Sequence, residues 1–150
     1  MKKLITAGLL SLAMMTSFSA MAAGTNFSTG TVIQNDNTGC ELLGEPVTLQ
    51  LSKNVHGAYS CAVIDASIKV ATCHEAGSRK ATALQCQSVG TDPLTNETIW
   101  NDSSCTAAAD TFDIADFRSY AASSTGGTVA PGALGGACED STIAAIDHFN

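Results

Sequence analysis

The sequence predicts a mainly β protein, built as a single small antiparallel domain of sandwich-like form with a late short helix and a Gly/Ala/Ser-rich loop. Three observations predict it. Apolar and polar residues alternate in short segments, turn-forming residues separate those segments, and six cysteines follow an export signal in a chain of 150 residues. Short alternating runs bounded by turns are typical of β-sandwiches and barrels. Cysteines in an exported chain favour disulfide cross-links.

The first 22 residues have the pattern of a cleaved signal peptide. Met1-Lys2-Lys3 is a short basic start, residues 4–15 are apolar, and Ala20-Met21-Ala22 places small residues where signal peptidase cuts. The apolar run is too short to cross the roughly 30 Å hydrocarbon core of a bilayer. We therefore predict a signal peptide at 1–22 and a secreted or periplasmic β-rich domain at 23–150, without a membrane span after signal removal. The Lys-Lys start suits a bacterial precursor.

Six segments of the exported part carry strand patterns, and the alternation at 47–52 is the clearest of them. Turn-forming residues lie between several of these segments, for example Asn35-Asp36-Asn37 after the first and Asp65-Ala66-Ser67 between the third and fourth. The predicted strands are 27–34, 47–52, 57–64, 68–73, 81–89 and 98–100.

The late part of the chain has a different character. Ile114, Phe117 and Ala121 recur at helical spacing after Asp110, a suitable N-cap, which predicts a short helix over 110–122. Residues 121–137 are mostly Ala, Ser, Thr and Gly, and they predict a long flexible loop. Periodicity leaves a closing helix and a strand equally open at 141–149.

The cysteines are the candidate disulfide residues, and six of them allow 15 pairings. If Ala66, Ser67 and Ile68 form a three-residue hairpin turn, Cys61 lies directly opposite Cys73, at a spacing that suits a disulfide. Cys61–Cys73 is therefore the best single pair. Pairing Cys86 with Cys105 and Cys40 with Cys138 then accounts for the remaining cysteines.

The charge balance excludes two classes of partner. Removal of Lys2 and Lys3 with the signal leaves 5 basic and 14 acidic residues. A nucleic-acid binder needs clustered Lys and Arg for phosphate contacts, and anionic lipid attracts basic rather than acidic proteins. We therefore expect no nucleic-acid partner, and leave a protein partner or self-association as the possibilities.

No motif in the chain points strongly to catalysis or to a cofactor. A G-x-S-x-G nucleophile elbow and a C-x-x-C pair are both absent. His56 and His74 are the residues that an enzyme would use, and Asp110, Asp113 and Asp116 could supply oxygens to calcium but lack the EF-hand pattern. We predict no catalytic residue, no cofactor and no metal site.

The start of the exported part weakly resembles pilins of the chaperone–usher type. The resemblance consists of residues 24–33 (Gly-Thr-Asn-Phe-Ser-Thr-Gly-Thr-Val-Ile), Cys40, the alternating segment 47–51 and Phe149 at the penultimate position. It implies an exported β-sandwich subunit that completes its fold with a partner's strand and polymerises. The six cysteines, the late Gly/Ala/Ser-rich loop and the end of the chain, which does not clearly alternate, depart from that pattern.

These observations favour an exported, non-catalytic protein that acts by association, as a cell-surface, pilus-like fibre or matrix component. In that function, residues 27–34 are the candidate donated strand. The alternative is a monomeric secreted binding module or inhibitor, which would present the loop 121–137 or the turn 75–78. A secreted enzyme that uses His56 or His74 is the third hypothesis.

Overall fold

The computed structural model describes residues 23–149, so the predicted signal peptide lies outside the described residues. The described chain is mainly β, as predicted, with three disulfides and one short α-helix near its end. The strands are β1 (Thr25–Phe27), β2 (Val32–Ile33), β3 (Val47–Thr48), β4 (Val55–Ala62), β5 (Ser67–His74), β6 (Thr82–Gln85), β7 (Ser88–Thr91), β8 (Thr98–Trp100), β9 (Thr111–Ile114), β10 (Arg118–Ser123) and β11 (Ala130–Ala133). Helix α1 spans Asp140–Ala144, and a 3-10 helix spans Asp147–Phe149.

One five-stranded antiparallel sheet organises the molecule, with strand order β1-β4-β5-β10-β11. Its two longest strands, β4 and β5, form the central hairpin and pair over eight positions, from Val55 opposite His74 to Ala62 opposite Ser67. The other six strands form three two-stranded sheets, β2–β3, β6–β9 and β7–β8. The sandwich-like packing therefore consists of a central sheet with smaller units packed around it.

Both faces of the central sheet are covered by apolar side chains, because successive residues of a strand point to opposite faces. Tyr59 and Cys61 of β4 face a cluster that contains Phe27 and Ile33. Ala58 of β4 faces the second cluster, to which the C-terminal segment contributes. Those C-terminal residues are Ile143, Ile146 and Phe149.

Each core cluster contains one disulfide. Cys40–Cys61 lies in the cluster of Phe27 and Tyr59, and Cys73–Cys138 ties the C-terminal segment to β5. Cys86–Cys105 lies in a third cluster, between β6 and β9, with Phe112 and Ile114. The small apolar side chains of this protein are thus supplemented by a covalent link in every cluster.

The predicted pair Cys61–Cys73 is wrong because the β4–β5 turn consists of the four residues 63–66 rather than the three residues 66–68. This turn places Cys61 opposite Ile68 and Cys73 opposite His56. The side chains of Cys61 and Cys73 consequently point to opposite faces of the sheet. Cys61 bonds to Cys40 instead, which also makes the predicted pair Cys40–Cys138 wrong. The pair Cys86–Cys105 is found as predicted.

The predicted helix over 110–122 is also wrong. The segment forms β9 and β10, in which Phe112 and Ile114 are buried at alternate positions against β6. Ile114 and Ala121 fit both helical spacing and strand alternation, and cross-strand pairing decides between the two structures. The predicted loop 121–137 contains the end of β10 and all of β11.

The remaining predictions differ from the structure mainly in strand length. The predicted strand 27–34 is divided into β1 and β2, which belong to different sheets, and only Val47–Thr48 of 47–52 forms a ladder. The segment 81–89 contains β6 and the start of β7. Residues 98–100 form β8 as predicted, and 141–149 lies mostly within α1 and the 3-10 helix.

Proteolytic mapping of the oxidised protein tests the connectivity. Non-reduced peptides are expected to link Cys40 to Cys61, Cys73 to Cys138 and Cys86 to Cys105, because those sulfur pairs are bonded in the structure. A peptide that links Cys61 to Cys73 would contradict the register of β4 and β5.

Removal of single disulfides tests how loop closure contributes to stability. Cys73 and Cys138 are 65 positions apart, whereas Cys86 and Cys105 are 19 apart, and all four are buried. The chain-entropy relation gives losses of about 4 and about 3 kcal/mol for the two pairs, respectively. Paired Cys→Ala variants should therefore show the larger loss for Cys73–Cys138 in urea unfolding. An equal or reversed order would mean that loop length does not control the contribution.

Candidate binding surface

Three hairpin tips lie together at one end of the central sheet. The β4–β5 tip is residues 63–66, and the β10–β11 tip is residues 124–129. Because β10 is antiparallel to β5, with Ser123 opposite Lys69, the end of β10 lies beside the start of β5. The Ser124 N–H donates to the Ile68 carbonyl at 2.8 Å and places the second tip next to the first.

The β7–β8 hairpin supplies the third tip, residues 92–97. Gly90 of β7 packs so closely on Thr125 that a Cβ on Gly90 would lie 2.5 Å from the Thr125 hydroxyl oxygen. Gly126 contacts the Val89 backbone in the same way. Two glycines therefore allow β7 to lie directly against the β10–β11 tip.

Large apolar side chains project from all three tips. Ile64 is 86% exposed, Val129 66%, Leu94 64% and Val63 50%. Among the residues that the structure describes, six large hydrophobic side chains are exposed, and these four belong to the tips or adjoin them. We refer to these four residues as the tip surface. Contiguous exposed apolar residues with a polar rim are a common feature of interaction sites.

Hydrogen bonds within each tip fix its conformation. The Ala66 N–H donates to the Val63 carbonyl at 3.3 Å, and the carboxylate of Asp92 accepts the N–H groups of Leu94 and Thr95 at 2.7 and 3.0 Å. In the third tip, the Gly126 and Gly127 N–H groups donate to the Ser123 carbonyl at 3.2 and 2.9 Å, and Gly127 has a φ of +67°. The exposed apolar side chains are therefore held by closed turns.

Charged side chains lie at two of the three tips. Lys69 of β5 lies within electrostatic range of Asp65 in the first tip and Asp92 in the third. Burial lowers the pKa of Lys69, and the two carboxylates act in the opposite direction. Hydrogen bonds from Thr95 and Leu94 lower the pKa of Asp92 below its ordinary value, so Asp92 is ionised at neutral pH. Two carboxylates and one lysine therefore accompany the exposed apolar side chains of the first and third tips.

Sequence reasoning found only part of this surface. Val129 lies in the segment 121–137, which the binding-module hypothesis includes, whereas the sequence predicts that Val63 and Ile64 belong to the strand 57–64. Leu94 lies outside every predicted strand, helix and binding loop. Asp92-Pro93-Leu94-Thr95-Asn96 is a turn pattern with one large apolar residue, and that mismatch was the available signal. The strand register and the close contacts of Gly90 and Gly126 show that the three tips share an end.

A second cluster of functional groups lies at the other end of β4, around His56. The Nδ1 atom of His56 is 2.6 Å from the Asp140 carboxylate, and the Nε2 atom is 3.1 Å from the Glu75 carboxylate. The cluster joins three elements, because Glu75 follows β5 and Asp140 begins α1. We refer to these three side chains as the His56 clamp.

The clamp requires a protonated imidazole to satisfy both contacts. A neutral histidine has one N–H donor, while an imidazolium has two and can donate to both ionised carboxylates. Hydrogen bonds to Asp140 and then Glu75 raise the pKa of His56 above its ordinary value, although partial burial opposes them. While the clamp is intact, neither ring nitrogen of His56 can accept a proton from a nucleophile.

The other candidate residues from the sequence are separated in space or engaged locally. His74 accepts the Ala76 N–H at Nδ1, and Ser60 pairs with Lys69 near the opposite end of the sheet from His56. The carboxylate of Asp110 accepts three hydrogen bonds from Thr106 and Ala107, within its own turn. Within residues 23–149, no three His, Cys, Asp or Glu side chains converge in a way that could hold a metal ion.

Comparison with known proteins identifies no relative. No protein-family model matches the chain, and neither the curated proteins nor the solved structures include a match. Across the described residues, none of the helices combines the length and apolar character required to cross a bilayer.

A proton-titration experiment tests the His56 clamp. Asp140 makes the largest contribution to the raised pKa of His56, so Asp140→Asn should lower that pKa towards the value of about 6.5 for an unperturbed histidine. NMR titration of the imidazole resonances measures the change directly. Glu75→Gln should produce a smaller decrease. Equal His56 pKa values in all three proteins would show that the clamp does not form in solution.

The same clamp makes stability depend on pH. Because the pKa of His56 is higher in the folded state than in the unfolded state, its contribution is fully present below about pH 6.5. The contribution is lost as the pH rises through the folded-state pKa. Urea unfolding of His56→Ala should therefore show a larger loss, relative to wild type, at about pH 5.5 than at about pH 9. A loss that is independent of pH would contradict this linkage.

Proposed function

We propose that this protein is an exported, non-catalytic component that acts by association, binding another protein through the tip surface at a cell surface, in a fibre or in an extracellular matrix. The observation that carries the proposal is that Val63, Ile64, Leu94 and Val129 are exposed on hairpin tips that adjoin at one end of the sheet. An exported location is supported by the sequence of residues 1–22 and is compatible with the three disulfides.

Two properties of the tip surface favour binding, namely its exposed apolar area and the fixed conformation of its backbone. Exposed apolar side chains gain free energy when a partner removes them from water, at roughly 25 cal/mol per Å². Closed turns already fix the backbone that carries these side chains, so binding costs less conformational entropy than the ordering of a mobile loop. The surface therefore has both properties that a protein-binding site needs.

We consider two forms of association, donation of a strand to a partner and binding through the surface of a complete domain. The structure supports the second. A fibre subunit that donates residues 27–34 would leave its own sheet incomplete. In the structure, β1 pairs with β4 and Phe27 is buried against Gly57 and Tyr59. This arrangement supports binding by a complete domain, which includes the secreted binding module as the second candidate function.

Deletion of residues 23–36 tests the two forms of association. The deletion removes β1, Phe27 and Ile33 from one core cluster, so we expect a much less stable monomer rather than a folded protein that has lost assembly. Phe27→Ala alone should cost about 3–5 kcal/mol in urea unfolding. A deleted chain that unfolds at the wild-type urea concentration but no longer assembles would instead support strand donation.

Matched surface substitutions test the tip surface. Val63 and Val32 are similarly exposed, at 50% and 47%, but only Val63 lies on a tip. We expect Val63→Ser combined with Ile64→Ser to weaken association of the exported protein by at least about tenfold, since buried anchors often contribute more than 1 kcal/mol each. Light scattering after size exclusion, together with retention in the cell-surface fraction, measures the loss.

The control for this experiment is Val32→Ser, which should associate as the wild type does. All variants should keep the wild-type unfolding midpoint, because these side chains make few core contacts. Loss of association in Val32→Ser, or its retention in the tip variant, would count against the tip surface as the binding site.

A further inference from the structure

The two edges of the central sheet differ in their protection: β11 carries a proline and a covering side chain, whereas β1 borders a groove. In an antiparallel ladder, the residues of a strand bond alternately to one neighbour and to the other. The Glu75 N–H donates to the Asn54 carbonyl, so Asn54 is a residue whose backbone bonds in the direction of β5. By alternation, the even-numbered residues of β4 form their backbone hydrogen bonds with β5. The odd-numbered residues of β4, Gly57 and Tyr59, therefore bond to Phe27 and Thr25 of β1.

The edge at β11 is protected at Pro131. By the same alternation, Ala130 and Gly132 bond inward to β10, and Pro131 faces outward. Proline has no N–H to offer, and the Pro131 carbonyl accepts the side-chain amide of Asn101 at 2.8 Å. Proline and a covering side chain are common protections of an exposed sheet edge.

The edge at β1 is open at one residue. Because Thr25 and Phe27 bond inward, the N–H and carbonyl of Asn26 point away from β4. Next to it, the Gly24 N–H is taken by the Ala144 carbonyl at 2.8 Å, and the Ser28 N–H by the Thr31 hydroxyl at 3.1 Å. Within residues 23–149, no group pairs with the outward N–H or carbonyl of Asn26.

A groove of about 460 Å³ runs beside this open position. Its wall includes hydroxyl side chains on the β1–β2 segment and the carboxylate of Asp140, whose side chain is 65% exposed. Glu75 lies on the far side of His56 and is 52% exposed. The single positive charge of the imidazolium neutralises only one of the two carboxylates in the clamp. This end of the groove therefore retains a net negative charge.

We propose that β1 accepts an extended, basic segment of a partner protein as a sixth strand of the central sheet. The backbone of that segment pairs with the N–H and carbonyl of Asn26, and a lysine or arginine of the segment contacts Asp140. Strand addition at a sheet edge is a recurring mode of peptide recognition, in which main-chain bonds provide affinity and side-chain contacts provide specificity. This site is separate from the tip surface, at the opposite end of β4.

The probe is a synthetic peptide of about eight alternating lysine and valine residues. Titration of the exported protein, followed by amide NMR shifts and by fluorescence anisotropy, should shift Asn26, Thr29 and His56 while leaving the tips unchanged. A peptide with the same sequence and methylated backbone nitrogens on its pairing edge should bind about tenfold more weakly, because it cannot form the ladder. Replacement of its lysines by glutamates should abolish binding.

Asn26→Pro is the decisive variant. It removes the outward N–H and leaves the bonds from Thr25 and Phe27 to β4 in place, so binding should fall by about tenfold. Ala133→Pro is the matched control, since it removes an outward N–H from the opposite edge strand and should bind as the wild type does. Asp140→Asn should weaken binding of the lysine peptide without changing the site of the NMR shifts.

Three results would overturn the proposal. Equal affinity of the wild type and Asn26→Pro, or of the methylated and unmethylated peptides, would exclude ladder pairing, and the peptide comparison remains valid if the proline variant unfolds. Loss of peptide binding in the Val63→Ser/Ile64→Ser variant would assign the peptide to the tip surface instead. A dimer in sedimentation that disappears in Asn26→Pro would identify a second copy of this chain as the occupant.

Discussion

The register of β4 against β5 is the constraint on which the rest of this structure depends. A four-residue turn sets it, and the register then decides which side chains face each surface of the sheet. Cys61 faces one core and Cys73 the other, so each can be linked to a different distant segment. A register shifted by one residue would place Cys61 and Cys73 on the same face, so one of them would point away from its disulfide partner.

This constraint explains how a chain with few large side chains maintains a core on each face of the central sheet. The hairpin carries Ala58 and Ala71 on one face, and small residues there let the C-terminal segment approach the sheet closely. Ile143, Ile146 and Phe149 fill that space, and Cys138 holds them in place through Cys73. The covalent links and the packing therefore act on the same contacts. The His56 clamp adds a polar connection between the sheet and the start of α1 at the edge of the same core.

The sequence was sufficient for the fold class and for elements defined by local patterns. The hairpin strands, Thr98–Trp100 and the disulfide between Cys86 and Cys105 depend on short segments. The disulfide partners of Cys61 and Cys73 could not be predicted, because one residue of turn length changes which face each cysteine occupies. The prediction of a helix over 110–122 was wrong for another reason. Its apolar spacing suits a helix and a strand equally, and only pairing with β6 and β5 distinguishes them. The tip surface depends on which hairpins lie side by side, which local patterns do not encode.

The β4–β5 turn also has a consequence for engineering. Its four residues lie between Ala62 and Ser67, which form the last pair of the longest hairpin. Neither Val63 nor Ile64 contributes to a core. Exposed loop tips of this kind tolerate insertion, because the backbone on either side is held independently of the tip. The two adjacent tips offer further anchor points within the same end of the molecule. The protein is therefore suited to use as a display scaffold. A foreign peptide loop grafted in place of residues 63–66 would be presented on a covalently cross-linked hairpin.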